Sequence, residues 1–470
     1  MIDARIFRAY DIRGVAFTQL TEDACLQIGN AFGKVLVERY GKEHPHPSVV
    51  VGRDARTHSA AFQAAVMQGL IAAGCEALDI GQTPSPVNYF TICHRKLDGG
   101  IHVTASHNPK EDNGLKLQTR DADAFSGESL QELREQIEKK DFLPPKGAPS
   151  GPGKGTQETI DAIGPYVDHL VKLFPNAAKG LTVAVDGGNG VAGPVTCDVL
   201  RKAGAEVIEL YTEPDGNFPN HPADPSKHST LRELQKTVKE TSADIGFALD
   251  GDGDRLGVID ERGQIVTADQ TLLLLAQDHL RRHPGKPVVF TVSNSEMLNT
   301  EIEKWGGQAW MTKVGHSYVE HAMREQHALL GGEQSGHFFC GEDFYGFDDA
   351  LVAALRILSI VNAKSSTTVS TLISAFPTVY QSPELRPFCP DDAKGKIIAA
   401  ITAHFSRTHP VITLDGVRID FGDGAWAGIR QSNTSPCISV CMEARSTGKL
   451  TEIRTIVLEH LKNYPEIVLE

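Results

Sequence analysis

The feature that most constrains the fold is one local grammar written three times: strand, polar loop, helix, glycine stop, strand. The first instance is Val49 to Val51, a loop through Ser59, a helix from Ala60 to Ala73, Gly74, and a strand from Cys75 to Ile80. The second is Leu181 to Val185, the DGGNG loop, a helix from Val191 to Ala203, Gly204, and a strand from Glu206 to Leu210. The third is Val288 to Val292, Ser293-Asn294-Ser295, a helix from Glu296 to Lys304, Gly306-Gly307, and a strand from Gln308 to Thr312. Short apolar strands alternating with helices predict α/β layers with helices on a mostly parallel sheet. Repetition of that unit predicts a triplicated α/β domain, each copy a mixed sheet between helices.

After about Thr371 the grammar changes. Strands at Leu414 to Phe421 and Cys437 to Glu443, with helices at Ala393 to Phe405 and Leu450 to Tyr464, predict a smaller α+β domain. A Pro/Gly-rich stretch, Pro144 to Gly155, reads as the first linker. A second, weaker boundary falls near Arg255 to Asp260. The expected domains are therefore 1–150, 151–255, 256–370 and 371–470.

In such sheets ligands gather past the carboxyl ends of strands. The run Gly99 to Val103 leads into Thr104-Ala105-Ser106-His107-Asn108-Pro109, which sets Ser106 just past a strand end. These letters fit a nucleophile with polar neighbours and equally an ordinary Ser-His-Asn-Pro turn. Near the start, Phe7 to Gly14 puts Tyr10 and Arg13 in a short loop before a helical stretch.

The segment Asp250-Gly251-Asp252-Gly253-Asp254-Arg255 sets carboxylates at every second position, and alternation turns them the same way. Clustered carboxylates repel unless a cation is present, and hard oxygen ligands suit Mg²⁺ or Ca²⁺. An EF-hand is excluded, because its sixth loop position needs glycine and is Arg255 here, between strand-like flanks. Mg²⁺ bound by few carboxylates keeps open positions that phosphate oxygens commonly fill.

Two other loops offer handles for such a ligand. Gly428 to Pro436 packs Arg430, Gln431, Ser432, Asn433 and Thr434 ahead of a strand, a set suited to phosphate. Gly331 to His337 carries Glu333, Gln334, Ser335, Gly336 and His337, short polar groups suited to sugar hydroxyls. Upstream, Lys313 to Ser317 adds Lys313 and His316. Neither a Walker A loop nor G-x-S-x-G occurs.

The formal charge of −14, from 46 Lys plus Arg against 60 Asp plus Glu, argues against nucleic acid or anionic membrane as a partner. No run has signal-peptide or membrane-span length, and the eight cysteines include no C-x-x-C pair. A cytoplasmic protein without zinc or a disulfide framework is expected.

Together, FRAYDIRG, TASHNP with Asn113 to Lys116, FPNHPADPS, DGDGDR, KVGHS, GGEQSGH and RQSNTSP occur in one order across the whole chain. In this the chain resembles the α-D-phosphohexomutase superfamily, most closely its bacterial phosphomannomutase/phosphoglucomutase branch. The resemblance implies four domains around a central cleft and an enzyme interconverting hexose 1- and 6-phosphates of mannose or glucose. It implies a phosphoryl group on Ser106, Mg²⁺ on Asp250, Asp252 and Asp254 with an oxygen of that phosphoserine, and a hexose 1,6-bisphosphate as intermediate and activator. Glu333 and Ser335 would bind sugar hydroxyls, and Arg430, Ser432, Asn433 and Thr434 the distal phosphate. Tyr10, Arg13, His107, Lys116, Arg255 and His316 match positions lining the reacting end, with Lys116 and His316 both open as general base. The branch often carries a lysine where this chain has Ser293, which puts that substrate contact in doubt. The expected partners are small-molecule sugar phosphates, and the expected state is a monomer. The rival readings are a phosphoglucosamine mutase and a non-catalytic sugar-phosphate-binding relative.

Overall fold

The structure is a computed structural model and describes residues 2–140, 155–363, 367–432 and 435–469. Residues 144–154 of the first linker, and Asn433 and Thr434, lie outside the described residues. The chain divides into two compact units, Met1–Thr271 with Ser335–Leu372, and Leu272–Gln334 with Ile373–Glu470.

The first unit holds two sheets. Strands Ile12–Val15 (β1), Ser48–Arg53 (β2), Glu76–Gln82 (β3), Gly99–Val103 (β4), Asp112–Thr119 (β5) and Gln157–Thr159 (β6) order as β1-β5-β4-β2-β3-β6. Strands Thr182–Asp186 (β7), Glu206–Leu210 (β8), Ile245–Leu249 (β9), Leu256–Asp260 (β10) and Ile265–Val266 (β11) order as β11-β10-β9-β7-β8. The series β5-β4-β2-β3 and β10-β9-β7-β8 are the same arrangement. Each has parallel inner strands and one antiparallel neighbour, β5 on β4 and β10 on β9.

The second unit repeats the parallel part. Pro287–Thr291 (β12) lies between Gln308–Thr312 (β13) and Leu330–Gly332 (β14), parallel to both. Phe338–Cys340 (β15) follows in the first unit. The last domain is an antiparallel sheet of Tyr380–Gln381 (β16), Val411–Ile412 (β17), Val417–Asp420 (β18), Trp426–Gln431 (β19) and Ile438–Ala444 (β20), ordered β16-β20-β19-β18-β17. Helices Asp391–Phe405 and Thr447–Leu461 pack on it through Ile397, Ile401, Ile453 and Val457.

Local chemistry sets these elements. Strands β2 and β4 are buried on both faces, as a parallel core requires, hence their runs of Val and Gly-Gly-Ile-His-Val. The helix Glu22–Tyr40 starts where Thr21 accepts the Ala24 N–H at 3.1 Å, with Glu22 and Asp23 in its first turn. Gly74, Gly204 and Gly306 adopt φ of 95°, 98° and 77°, as the glycine stops of the repeat predict.

Three readings are corrected. Arg13 lies in β1, not a loop, because β1 pairs with β5 at the sheet edge. The second sheet runs past residue 255 to Val266, because β10 returns antiparallel to β9. Arg430 and Gln431 lie in β19, whose two flanking strands hold Gly428 and its neighbours extended. Among the described residues no helix is long and apolar enough to cross a membrane.

Candidate active site

The antiparallel returns hold the candidate residues of the first unit. Residues 104–111 join β4 to β5 and hold Ser106; residues 250–255 join β9 to β10 and hold the three aspartates. Both begin at the carboxyl end of a central strand, where sequence reading places a ligand.

Ser106 is buried, with φ of 51° in the left-handed region. Such a conformation is costly for a non-glycine residue and persists only where surroundings fix it. Thr104 Oγ1 accepts the Ser106 N–H at 2.8 Å, and Thr104 in turn donates to Asp54 at 2.8 Å. Arg13 donates to Ala105 O at 3.2 Å and to Asn108 Oδ1 at 2.9 Å, while its Nε pairs with Asp11 at 2.8 Å.

The main clamp is Arg56, which the sequence did not single out. It is fully buried and donates to the carbonyls of Ser106 (3.0 Å), Asn108 (2.7 Å), Pro109 (2.5 Å) and Asp112 (3.0 Å), and to Asp54 Oδ2 (3.1 Å). Phe218, from the FPNHPADPS stretch, covers it at 5.3 Å. One guanidinium thus ties together four carbonyls along the Ser106 loop, of which that of Pro109 also accepts the Asp112 N–H at 3.0 Å. Replacing it by Lys keeps the charge and loses the fork. Arg56→Lys should lose about 3 kcal/mol of folding stability, read by urea denaturation.

Ser106 Oγ donates to Asp250 Oδ2 at 2.5 Å and lies 3.1 Å from His107 Nδ1. Asp250 Oδ1 also accepts the N–H groups of Gly253, Asp254 and Arg255 at 3.0, 3.1 and 3.2 Å, which fixes the loop. A Cβ at Gly251 would come 2.4 Å from the Ser106 carbonyl oxygen, so that position must be glycine for the two loops to meet.

Carboxylate oxygens of Asp250, Asp252 and Asp254 lie within 4.8 Å of one another, all three residues buried. Burial first, then Asp254 and Asp252, push Asp250 well above the usual carboxylate range. Burial raises the other two as well, but Lys116 overrides it and holds both down. Lys116 Nζ donates to Asp252 at 2.7 Å and to Asp254, and Ser85 Oγ donates to Asp252 at 2.6 Å. Burial works against the charge on Lys116, yet the two carboxylates keep its pKa well above the usual value. Asp252 Oδ1 is buried without a hydrogen-bond partner among the described residues. A compact set of hard oxygens, one unpaired, fits a divalent cation such as Mg²⁺.

Arg255 donates to His337 Nε2 at 3.2 Å, and that atom lies 3.4 Å from Asp254 Oδ1. His337 Nδ1 lies 3.0 Å from Ser335 Oγ, and Gly336 takes φ of 96° while its carbonyl accepts the Leu256 N–H at 3.0 Å. Asp348 stands 3.9 Å from His337, its pKa pushed up to about 7 by burial and then by Asp254. Burial, then Arg255 and Arg13, hold His107 well below the usual imidazole range. Tyr10 is half-buried in the bend before β1.

Behind Lys116, His102 on β4 is fully buried and pushed down to about 4, chiefly by burial. The unfolded chain protonates this imidazole near pH 6.5 and the folded chain only near 4, so stability is lost as pH falls through that window. The expected loss is about 3 kcal/mol by pH 4. Urea denaturation should show a shallower acid dependence in His102→Gln.

The second unit gathers the other predicted residues. Glu333, buried at the end of β14, accepts the Gly315 N–H at 2.8 Å, which joins the Gly331 to His337 loop to the KVGHS stretch. His316 opens the helix His316–Gln326, and Lys313 lies 5.6 Å over the Tyr318 ring. Cys441 Sγ lies 3.8 Å from Gln334 Oε1. Arg430 lies on the wall of a pocket with Ser293, Asp415, Arg418 and Ser439. Ser432 is held by Arg386, which donates to its Oγ at 3.0 Å, and by buried Lys394, which donates to the carbonyls of Ser432 at 3.1 Å and Ser435 at 2.6 Å. Neither Arg386 nor Lys394 has a sequence signal, since each acts on a loop about 40 residues away.

Four family models for phosphoglucomutase/phosphomannomutase match this chain in succession: α/β/α domain I at residues 4–144, domain II at 164–263, domain III at 267–380 and the C-terminal domain at 384–460. A phosphomannomutase/phosphoglucomutase of Pseudomonas aeruginosa is 38% identical over 98% of this chain and 96% of its own. A phosphoglucomutase of Neisseria gonorrhoeae is 36% identical over 98% of each. Among solved structures, a phosphoglucomutase/phosphomannomutase family protein of Burkholderia thailandensis superposes with a TM-score of 0.90 at 36% identity, over 98% of each chain.

Proposed function

As the chain belongs to the phosphoglucomutase/phosphomannomutase family and is an intramolecular phosphotransferase of that kind, we propose that it interconverts hexose 1- and 6-phosphates of mannose and glucose through phospho-Ser106. The observation that carries the Ser106 assignment is its hydroxyl, 2.5 Å from Asp250 inside the carboxylate cluster.

The substrate's distal phosphate binds Arg430, Gln431 and Ser432, with Asn433 and Thr434 beside them, while Glu333, Gln334, Ser335, Gly336 and His337 take the sugar. The free sugar hydroxyl attacks the phosphoryl group on Ser106, and the Ser106 oxygen leaves with the bonding electrons. The resulting hexose 1,6-bisphosphate turns end over end and returns its other phosphoryl group to Ser106. Asp250, Asp252 and Asp254 would hold Mg²⁺, which when bound supplies positive charge to the phosphoryl oxygens. Transfer passes through a loose transition state, so charge and position supply most of the rate. Arg13, Arg255 and Lys116 offset the negative charge of two phosphates, on a chain of net charge −14. The base for the proton of the attacking hydroxyl is His316, or Lys116 once it is released from Asp252 and Asp254, since those ion pairs hold the lysine in its charged form.

The test is conversion of mannose, glucose and glucosamine 1-phosphates with Mg²⁺ and a trace of the matching 1,6-bisphosphate. Turnover of the first two, with intact-mass detection of phosphorylated Ser106, is expected. Turnover of the amino sugar alone moves the enzyme to the phosphoglucosamine branch, and turnover of none of the three sinks the reading.

A further inference from the structure

Strand β18 sends Arg418 into the loop that follows β12. The residue is buried, and its Nη1 donates to the carbonyls of Val292 at 2.6 Å and Asn294 at 2.8 Å. Its Nη2 donates to Glu296 Oε2 at 2.8 Å, and the guanidinium lies 3.6 Å over the Trp426 ring. Trp426 Nε1 donates to Glu443 Oε1 at 3.2 Å, and that same oxygen accepts the Glu296 N–H at 3.0 Å. Fork, indole and two carboxylates thus close a ring of contacts between the last sheet and the carboxyl end of β12.

The loop so held contains Ser293, which shares a pocket wall with Arg430, Asp415 and Ser439. In that wall the Arg430 Nε is buried and makes no hydrogen bond among the described residues. Arg418 faces the same pocket, but its donors are already committed to the loop. Its guanidinium is therefore a spacer rather than a ligand-binding group.

We infer that Arg418 is a positioning residue for the hexose phosphate, fixing the separation of Ser293 and Arg430 so that the pocket has its binding width before the ligand arrives. This rests on the functional reading above. A preset pocket spares the ligand the cost of ordering the Ser293 loop, and displacement of a binding group by about 1 Å is worth large factors.

Arg418→Lys keeps the charge but cannot span two carbonyls and a carboxylate while stacking on Trp426. Glu296→Gln keeps the shape and removes one charged partner. The expected result is a KM for hexose 1-phosphate raised about tenfold in Arg418→Lys and less in Glu296→Gln, with kcat within about threefold of wild type. Calorimetric Kd for glucose 6-phosphate should weaken in step. A purely structural role would lower Tm and leave KM and Kd unchanged, and that outcome overturns the proposal. If Arg418→Lys does not fold, the Kd of Glu296→Gln decides in the same way. A wild-type protein that binds glucose 6-phosphate without turning over any hexose phosphate sinks the functional reading, while Kd still decides this one. A wild type that binds no sugar phosphate overturns both.

Discussion

Ser106→Ala should lose at least about 10⁴-fold in mutase kcat while its Kd for glucose 6-phosphate stays within a few-fold of wild type. On the proposed mechanism Ser106 Oγ is the atom that carries the exchanged phosphoryl group. On that reading removing Oγ deletes the carrier, whereas the groups proposed for the sugar and the distal phosphate lie elsewhere in the chain. The variant should fold, because the Ser106 loop is fixed by Arg56, Arg13 and Thr104 through main-chain atoms and Asn108. Only the bonds from Oγ to Asp250 and His107 disappear. Turnover near the wild-type rate in a preparation verified by mass would end the phosphoserine mechanism.

The second large effect is on the carboxylate cluster. Chelation should reduce kcat by about 10³-fold or more, and added Mg²⁺ should restore it. Mg²⁺ should also raise the Tm of wild type, because an ion that binds the folded state stabilises it by linkage. Asp252→Asn should abolish that Tm response, since it removes one of the charges and the oxygen left without a partner. Lys116 competes for the same oxygens in the ion-free arrangement, so Lys116→Met should weaken kcat yet tighten the Mg²⁺ response. Full activity after chelation, or an unchanged Mg²⁺ response in Asp252→Asn, would take the aspartates out of the reaction.

Much of the fold was legible because its repeat rests on local signals. Apolar triplets such as Val49 to Val51 and glycine stops such as Gly74 and Gly204 mark strand and helix ends without knowledge of distant partners. The loop at Ser106 was legible for the same reason. What escaped was what depends on pairing across the chain. Arg430 reads as loop because Gly428 weakens the strand signal, yet β18 and β20 hold Gly428 and Ile429 between them and β20 carries the pairing on through Arg430. The strand at Leu256 to Asp260 was recognised, but not its return onto β9, so a boundary fell inside the second sheet. Arg56 escaped altogether. Apart from Asp54 its partners are carbonyls 50 to 56 residues away, and a carbonyl leaves no mark in a sequence.

The two antiparallel returns also bear on how the site comes into being. Residues 104–111 and 250–255 each connect neighbouring strands, so closing either loop costs little chain entropy. Each can begin with its own hairpin, the Ser106 loop taking its final form once Arg13 and Arg56 reach it. The contact between Ser106 and Asp250, by contrast, spans 144 residues and must wait for the two sheets to dock. Assembly of the reactive centre is thus a late joining of two prefabricated parts. Pulsed hydrogen exchange during refolding should find the amides of both loops protected before the enzyme regains activity.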